Sequence, residues 1–130
     1  MCASDWTVRE KPYDLRERWL QFACAIVRVV QFLHTQGPTA TALCDQLLRC
    51  GTSAGANYEE ADDASSDRDK LSKRRIALRE LKETRFRLRV LRATGLLTAE
   101  HDPVLNENAE LVKILATIIR KSGGSKTKNT

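Results

Sequence analysis

The chain has 130 residues, enough for one domain with a modest core. Aromatic residues make up only 5%, and Pro and Gly number 3 and 6, while Leu, Ala, Arg and Glu recur, so helices are favoured and no segment reads as a strand. The formal charge of +5 is concentrated: residues 67–92 hold eleven Lys or Arg against four acids, a local +7 that leaves the remainder at −2, so electrostatic function is sought on that segment.

In chain order, the spacing predicts four helices, over about 14–36, 39–62, 67–94 and 103–121, with a flexible tail at 122–130 and one domain over 1–130. Asp14 is placed to cap the first, with Glu17 at the capping-box position and Pro12 upstream. Leu15, Trp19, Phe22, Ile26, Val29 or Val30, and Leu33 follow at steps of three and four, until Gly37-Pro38. The segment LQFACAIVRVVQFL at 20–33 carries Arg28 and is too short to cross a bilayer comfortably, so it reads as a core helix.

In the second helix, Leu43, Leu47, Cys50, Ala54, Tyr58 and Ala61 fall within ~80° of arc at 100° per residue. The stretch GTSAGANYEEADDASS at 51–66 continues that period before losing it near Asp62. It lacks G-x-x-x-x-G-K-[ST] and G-x-S-x-G contexts, which argues against a phosphate loop or a serine nucleophile at Ser53. Its small residues keep the helix surface low for a close neighbour. Ser53, Asn57 and Glu60 line a second stripe, a polar contact whose natural partners are basic or hydroxyl groups on the third helix, such as Arg85 or Thr84. Glu59, Glu60, Asp62 and Asp63 are consecutive and read as a solvated helix end.

Ser66 is placed to cap the third helix and Gly95 to end it. Ala77, Leu81, Thr84, Leu88 and Leu91 form a bundle-type seam. Asp102-Pro103 reads as a cap and first-turn proline for the fourth helix, which turns Leu105, Leu111 or Val112, Leu115, Ile118 and Ile119 inward and stops at Gly123-Gly124. SKTKNT is a polar tail. Four amphipathic helices with short connections give an all-α, antiparallel up-down-up-down four-helix bundle.

Cys2, Cys24, Cys44 and Cys50 form no C-x-x-C pair, and His34 and His101 have no ligand spacing, so buried thiols and no metal are expected. No cofactor fingerprint is present, and no nucleophile has a base beside it, so an enzyme is not expected. The N-terminal MCASDWTVREK has no apolar region behind its charges, so a cytoplasmic protein without membrane partners is expected.

SAGANYEEA followed by IALRELKETRFRLRVLRATGLL resembles the bacterial four-helix-bundle proteins known as intervening-sequence or S23 proteins, whose reading frames often lie in insertions within 23S rRNA genes. Ser53, Gly55, Ala56, Asn57 and Glu60 match the family's S-x-G-A-N-x-x-E, and Ala77, Leu78, Glu80, Glu83 and Leu88 match A-L-x-E-x-x-E-x-x-x-W-L. Arg87 stands where the family often has Trp, and Glu59-Glu60-Ala61 replaces Ala-Glu-Gly. The resemblance implies a ring-like homo-oligomer, a pentamer, with no established enzymatic activity. The accessory proteins of diversity-generating retroelements are similar in fold and work with nucleic acid and a reverse transcriptase, an analogy that points to RNA or DNA and a protein partner.

On the third helix, Arg74, Arg75, Arg79, Lys82, Arg85, Arg89 and Arg92 occupy an arc of ~140° beside the core positions. Such a stripe tracks a nucleic-acid backbone over ~27 Å, or forms a solvated face or inter-subunit ion pairs. Ile76, Phe86 and Val90 flank a third face with Glu80, Glu83 and Arg87, read as an oligomer interface. A scaffold or protein-interaction module without nucleic acid is the alternative function.

Overall fold

A computed structural model describes residues 14–124; Cys2, Pro12 and the polar end at 125–130 lie outside the described residues. The elements are α1 (Leu15–Leu33), α2 (Pro38–Ala42), α3 (Cys44–Asp62), α4 (Asp67–Ala93), a 3-10 turn (Ala99–His101), α5 (Asp102–Ile119) and a π-helical turn (Arg120–Gly124). Each long helix packs against two others, α1 on α3 and α5, and α4 on α3 and α5. This closes the antiparallel up-down-up-down bundle expected from the four stripes.

Asp14 caps α1, its carboxylate accepting from the Arg16 N–H at 3.0 Å. Glu17 accepts a bond from Gln21, one turn on. The last turn tightens before Gly37: Thr35 and Gln36 donate to Phe32 and Leu33 carbonyls, so α1 ends at Leu33, earlier than 36. Gly37 has φ of +104° with open space around it, so backbone conformation, not crowding, selects glycine.

The single helix expected over 39–62 is instead two. Pro38 starts a short α2, and Leu43, at φ −89° and ψ −3°, donates back to Ala40. This bend lets Ala40, Cys44 and Leu47, all buried, face the core together. Ser66 caps α4 through the Asp69 N–H at 3.1 Å, and Gly95 at φ +84° follows its end. Asp102 is not the cap of α5 but its first residue. Thr98 and His101 form a capping box on the preceding 3-10 turn, while the Asp102 carboxylate turns to Arg92. The final turn widens where Ser122 Oγ donates to the Ile118 carbonyl at 2.8 Å, so the α-helix ends at Ile119 rather than 121.

The core is built from Trp19, Phe22, Ile26 and Leu33 of α1, Leu47, Ala54 and Tyr58 of α3, Leu81, Leu88 and Leu91 of α4, and Leu111 and Leu115 of α5. Val29 and Val30 are both buried; Leu15, Leu105, Val112, Ile118 and Ile119 are partly buried against it. The Trp19 and Tyr58 rings stack with centroids 5.4 Å apart.

The small residues of α3 meet α1 as the sequence requires. A Cβ on Gly51 would lie 2.7 Å from Ile26 Cγ2, and one on Gly55 would lie 3.3 Å from Trp19 Cβ. Ile26 is fully buried, so its side chain would have to shift within the packed core. Gly51→Ala therefore loses more from overpacking than the ~1 kcal/mol that alanine gains in a helix. A net destabilisation of about 1–2 kcal/mol is expected in urea unfolding, and an unchanged midpoint would contradict the close approach.

Two buried polar residues of α5 were not expected. Glu107 and Asn108 are both inaccessible. Arg18 of α1 donates to Glu107 twice, Nε to Oε2 at 2.9 Å and Nη2 to Oε1 at 2.8 Å, and to Glu110 at 2.9 Å. These bonds, Glu107 foremost, raise the Arg18 pKa above its ordinary value.

Candidate nucleic-acid interface

Helix α4 is 27 residues long and carries Ala77, Leu81, Thr84, Leu88 and Leu91 on its buried side. At 100° per residue the direction opposite that seam is occupied by Arg75, Arg79 and Phe86, with Lys82 and Arg89 beside them. All five are exposed. The stripe of seven cations divides accordingly. Arg75, Arg79, Lys82, Arg85 and Arg89 have no ion-pair partner among the described residues.

Arg74 and Arg92 are drawn inward. They stand eighteen residues apart, five full turns, on the line that borders the buried seam. The Arg74 guanidinium lies 6.0 Å over the Tyr58 ring and 3.9 Å from Asp62, with its side chain 16% exposed. Arg92 Nε donates to Asp102 at 2.9 Å. That bond raises Arg92 and holds the Asp102 carboxyl below its usual range. Neither is therefore a free phosphate contact.

Arg68, absent from the expected stripe, extends it. It is exposed, seven residues before Arg75, and lines a shallow groove with Leu71, Ser72, Arg75, Ile76 and Arg79. The heptad spacing was the available signal.

Ile76, Phe86 and Val90 fall within ~80° of arc, a face that adjoins and overlaps the basic strip. Phe86 lies within the basic strip, about 20° from Arg79, and is 65% exposed. Val90 borders the strip at 37% exposure, and Ile76 is half-buried in the groove just described. Phe86 and Val90 also line an apolar pocket with Leu43, Arg87 and Leu91.

The expected polar contact of α3 with a basic group of α4 forms at Glu60 alone of its three residues. Ser53 Oγ is buried with no hydrogen-bond partner among the described residues, Asn57 Nδ2 donates to the Ser53 carbonyl at 2.9 Å, and Glu60 pairs with Lys73 at 3.4 Å. Thr84 Oγ1 donates within α4 to the Glu80 carbonyl. A further polar link between the helices runs through Arg49, which donates to Glu80 at 3.0 Å and to Glu83 at 3.0 and 3.1 Å, while Arg87 holds Glu83 at 2.9 Å. Glu80 and Glu83 thus anchor a clasp between α3 and α4. Arg49 lies four residues before Ser53 on the same stripe, which was its sequence signal.

The Arg87 hydrogen bond, with help from Arg49, holds the Glu83 carboxyl below its ordinary value. The unfolded chain therefore takes up the proton first as pH falls. The clasp contributes in full above the ordinary carboxylate pKa of about 4.3 and is lost as pH drops through the lower folded value. Glu83→Gln is expected to lose less stability between pH 7 and strongly acid pH than the parent in urea titrations. An equal loss would contradict this role.

Among the described residues no group of three or more His, Cys, Asp or Glu is placed to hold a metal, and no helix is long and apolar enough to cross a membrane. A family model described as 23S rRNA-intervening sequence protein matches residues 12–117. A crystal structure from Bacteroides thetaiotaomicron, described as a protein of unknown function from the S23 ribosomal protein family, is 34% identical, with a TM-score of 0.75, covering 82% of this chain and 99% of its own. No curated protein matches the chain.

Proposed function

The chain belongs to the 23S rRNA-intervening sequence protein family, and from that starting point we propose that it is a non-enzymatic homo-oligomer, a pentamer, that holds an RNA or DNA backbone along the outward face of α4. The observation that carries this reading is the row of exposed cations without ion-pair partners among the described residues, directed away from the core. From Arg75 to Arg89 the row spans ~21 Å at 1.5 Å per residue. Charge on this pattern contacts phosphates and carries little sequence preference.

Five phosphate contacts per subunit give a slope of log affinity against log salt of about −4 to −5 on duplex, or about a 500-fold loss between 50 and 200 mM. Anisotropy titrations with a structured RNA and a duplex DNA read that slope. No binding to either at low salt would overturn the proposal.

Assembly is supported by Leu20 and Val27, 56% and 39% exposed and seven residues apart on α1. Repetition around a ring multiplies a weak basic strip through avidity. A monomeric mass by sedimentation at micromolar concentration would contradict the oligomer and leave the single-subunit slope as the test of the basic face.

A further inference from the structure

Resting on the backbone-binding reading above, we infer that the α4 strip takes a single-stranded nucleic-acid segment and that Phe86 stacks on one of its unpaired bases. Phe86 is the most exposed large apolar side chain among the described residues, at 65%, and it lies within the cationic row rather than beside it. Lys82 precedes it by four residues and Arg89 follows by three, so cations stand one helical turn to either side of the ring.

An exposed aromatic ring between phosphate-binding cations matches the chemistry of a strand whose bases are turned toward the protein. Bases in a duplex are already paired and stacked, so their faces are not available to it. Beside the ring, the pocket formed with Leu43, Val90 and Leu91 is of about 190 Å³ and apolar, a place for the base to rest its edge. Arg87 on its wall is held by Glu83 and does not compete for phosphate. Charge selects the polyanion, and the ring selects its unpaired form.

The test titrates labelled oligouridine and a duplex RNA of the same length against the full chain, with Phe86→Ala, Phe86→Leu and Phe86→Trp. Because Phe86 is exposed, these variants keep the fold, which circular dichroism checks. Phe86→Ala and Phe86→Leu are expected to weaken oligouridine about 10-fold. The duplex affinity and the salt slope stay as in the parent, and Phe86→Trp restores single-strand binding.

Parent-like oligouridine binding by Phe86→Ala, with the salt slope intact, overturns the stacking inference and leaves the backbone reading standing. Failure of both probes to bind the parent overturns both. A lower sedimentation mass for Phe86→Ala, with both probes weakened equally, places Phe86 between protein copies and overturns the base contact.

Discussion

Charge reversal of Arg75, Arg79 and Lys82 to Glu weakens RNA and DNA binding about 100-fold or more at low salt and makes the salt dependence shallower by about three units of slope. The three side chains are exposed and have no ion-pair partner among the described residues, so their reversal leaves the core intact. Reversal of Arg74 and Arg92 gives the opposite pattern. These two already serve Tyr58, Asp62 and Asp102, so stability falls and the salt slope of binding is preserved. Anisotropy and urea unfolding on the two variants separate the effects. Equal binding losses in both would mean that the inward and outward arginines act alike, contrary to the geometry.

The largest single effect on stability is expected at Arg18. Its guanidinium makes two hydrogen bonds to a carboxylate that is fully inaccessible, and tethers α1 to α5. Arg18→Met takes away that charge-assisted pair and leaves Glu107 inside the bundle, at a cost of about 3–5 kcal/mol. For a chain of this size, that lowers the melting temperature by roughly 12 °C or more. Arg18→Met with Glu107→Met recovers most of the loss, because apolar groups of similar volume need no partner. Thermal denaturation of the single and double variants measures this directly. A single variant that melts with the parent would show that the pair contributes little.

The seams of α1, α4 and α5 were readable because apolar residues repeat at three and four, and the caps at Asp14 and Ser66 stand next to them. The bend at Leu43 was not. Leu43, Leu47 and Cys50 keep helical spacing across it, and period alone does not register a local change of φ and ψ. Glu107 and Asn108 escaped for a related reason. They occupy inward positions between Val104 and Leu111, where residue type alone does not foretell burial, because a partner on another helix decides it.

The candidate interface was legible in outline and wrong at its margins. An arc of ~140° includes the borders of the buried seam as well as the open face. Arg74 lies one heptad before Leu81, and Arg92 one turn after Leu88, spacings that place both beside the core. Phe86 stands about 20° from Arg79 and about 40° from Val90, so the basic strip and the apolar border meet at its ring. The small residues of the α3 motif set the close approach to α1 and the neighbouring Arg49 makes the clasp to α4, while Asn57 donates to the Ser53 carbonyl and Glu60 pairs with Lys73.

Ultraviolet crosslinking of the intact protein to RNA in cells, with the adduct mapped by mass spectrometry and the bound RNA sequenced, tests the central claim most directly. The adducts are expected within residues 75–89, with Phe86 among them. Adducts confined to α1, α3 or α5, or a protein that carries no nucleic acid, would contradict it.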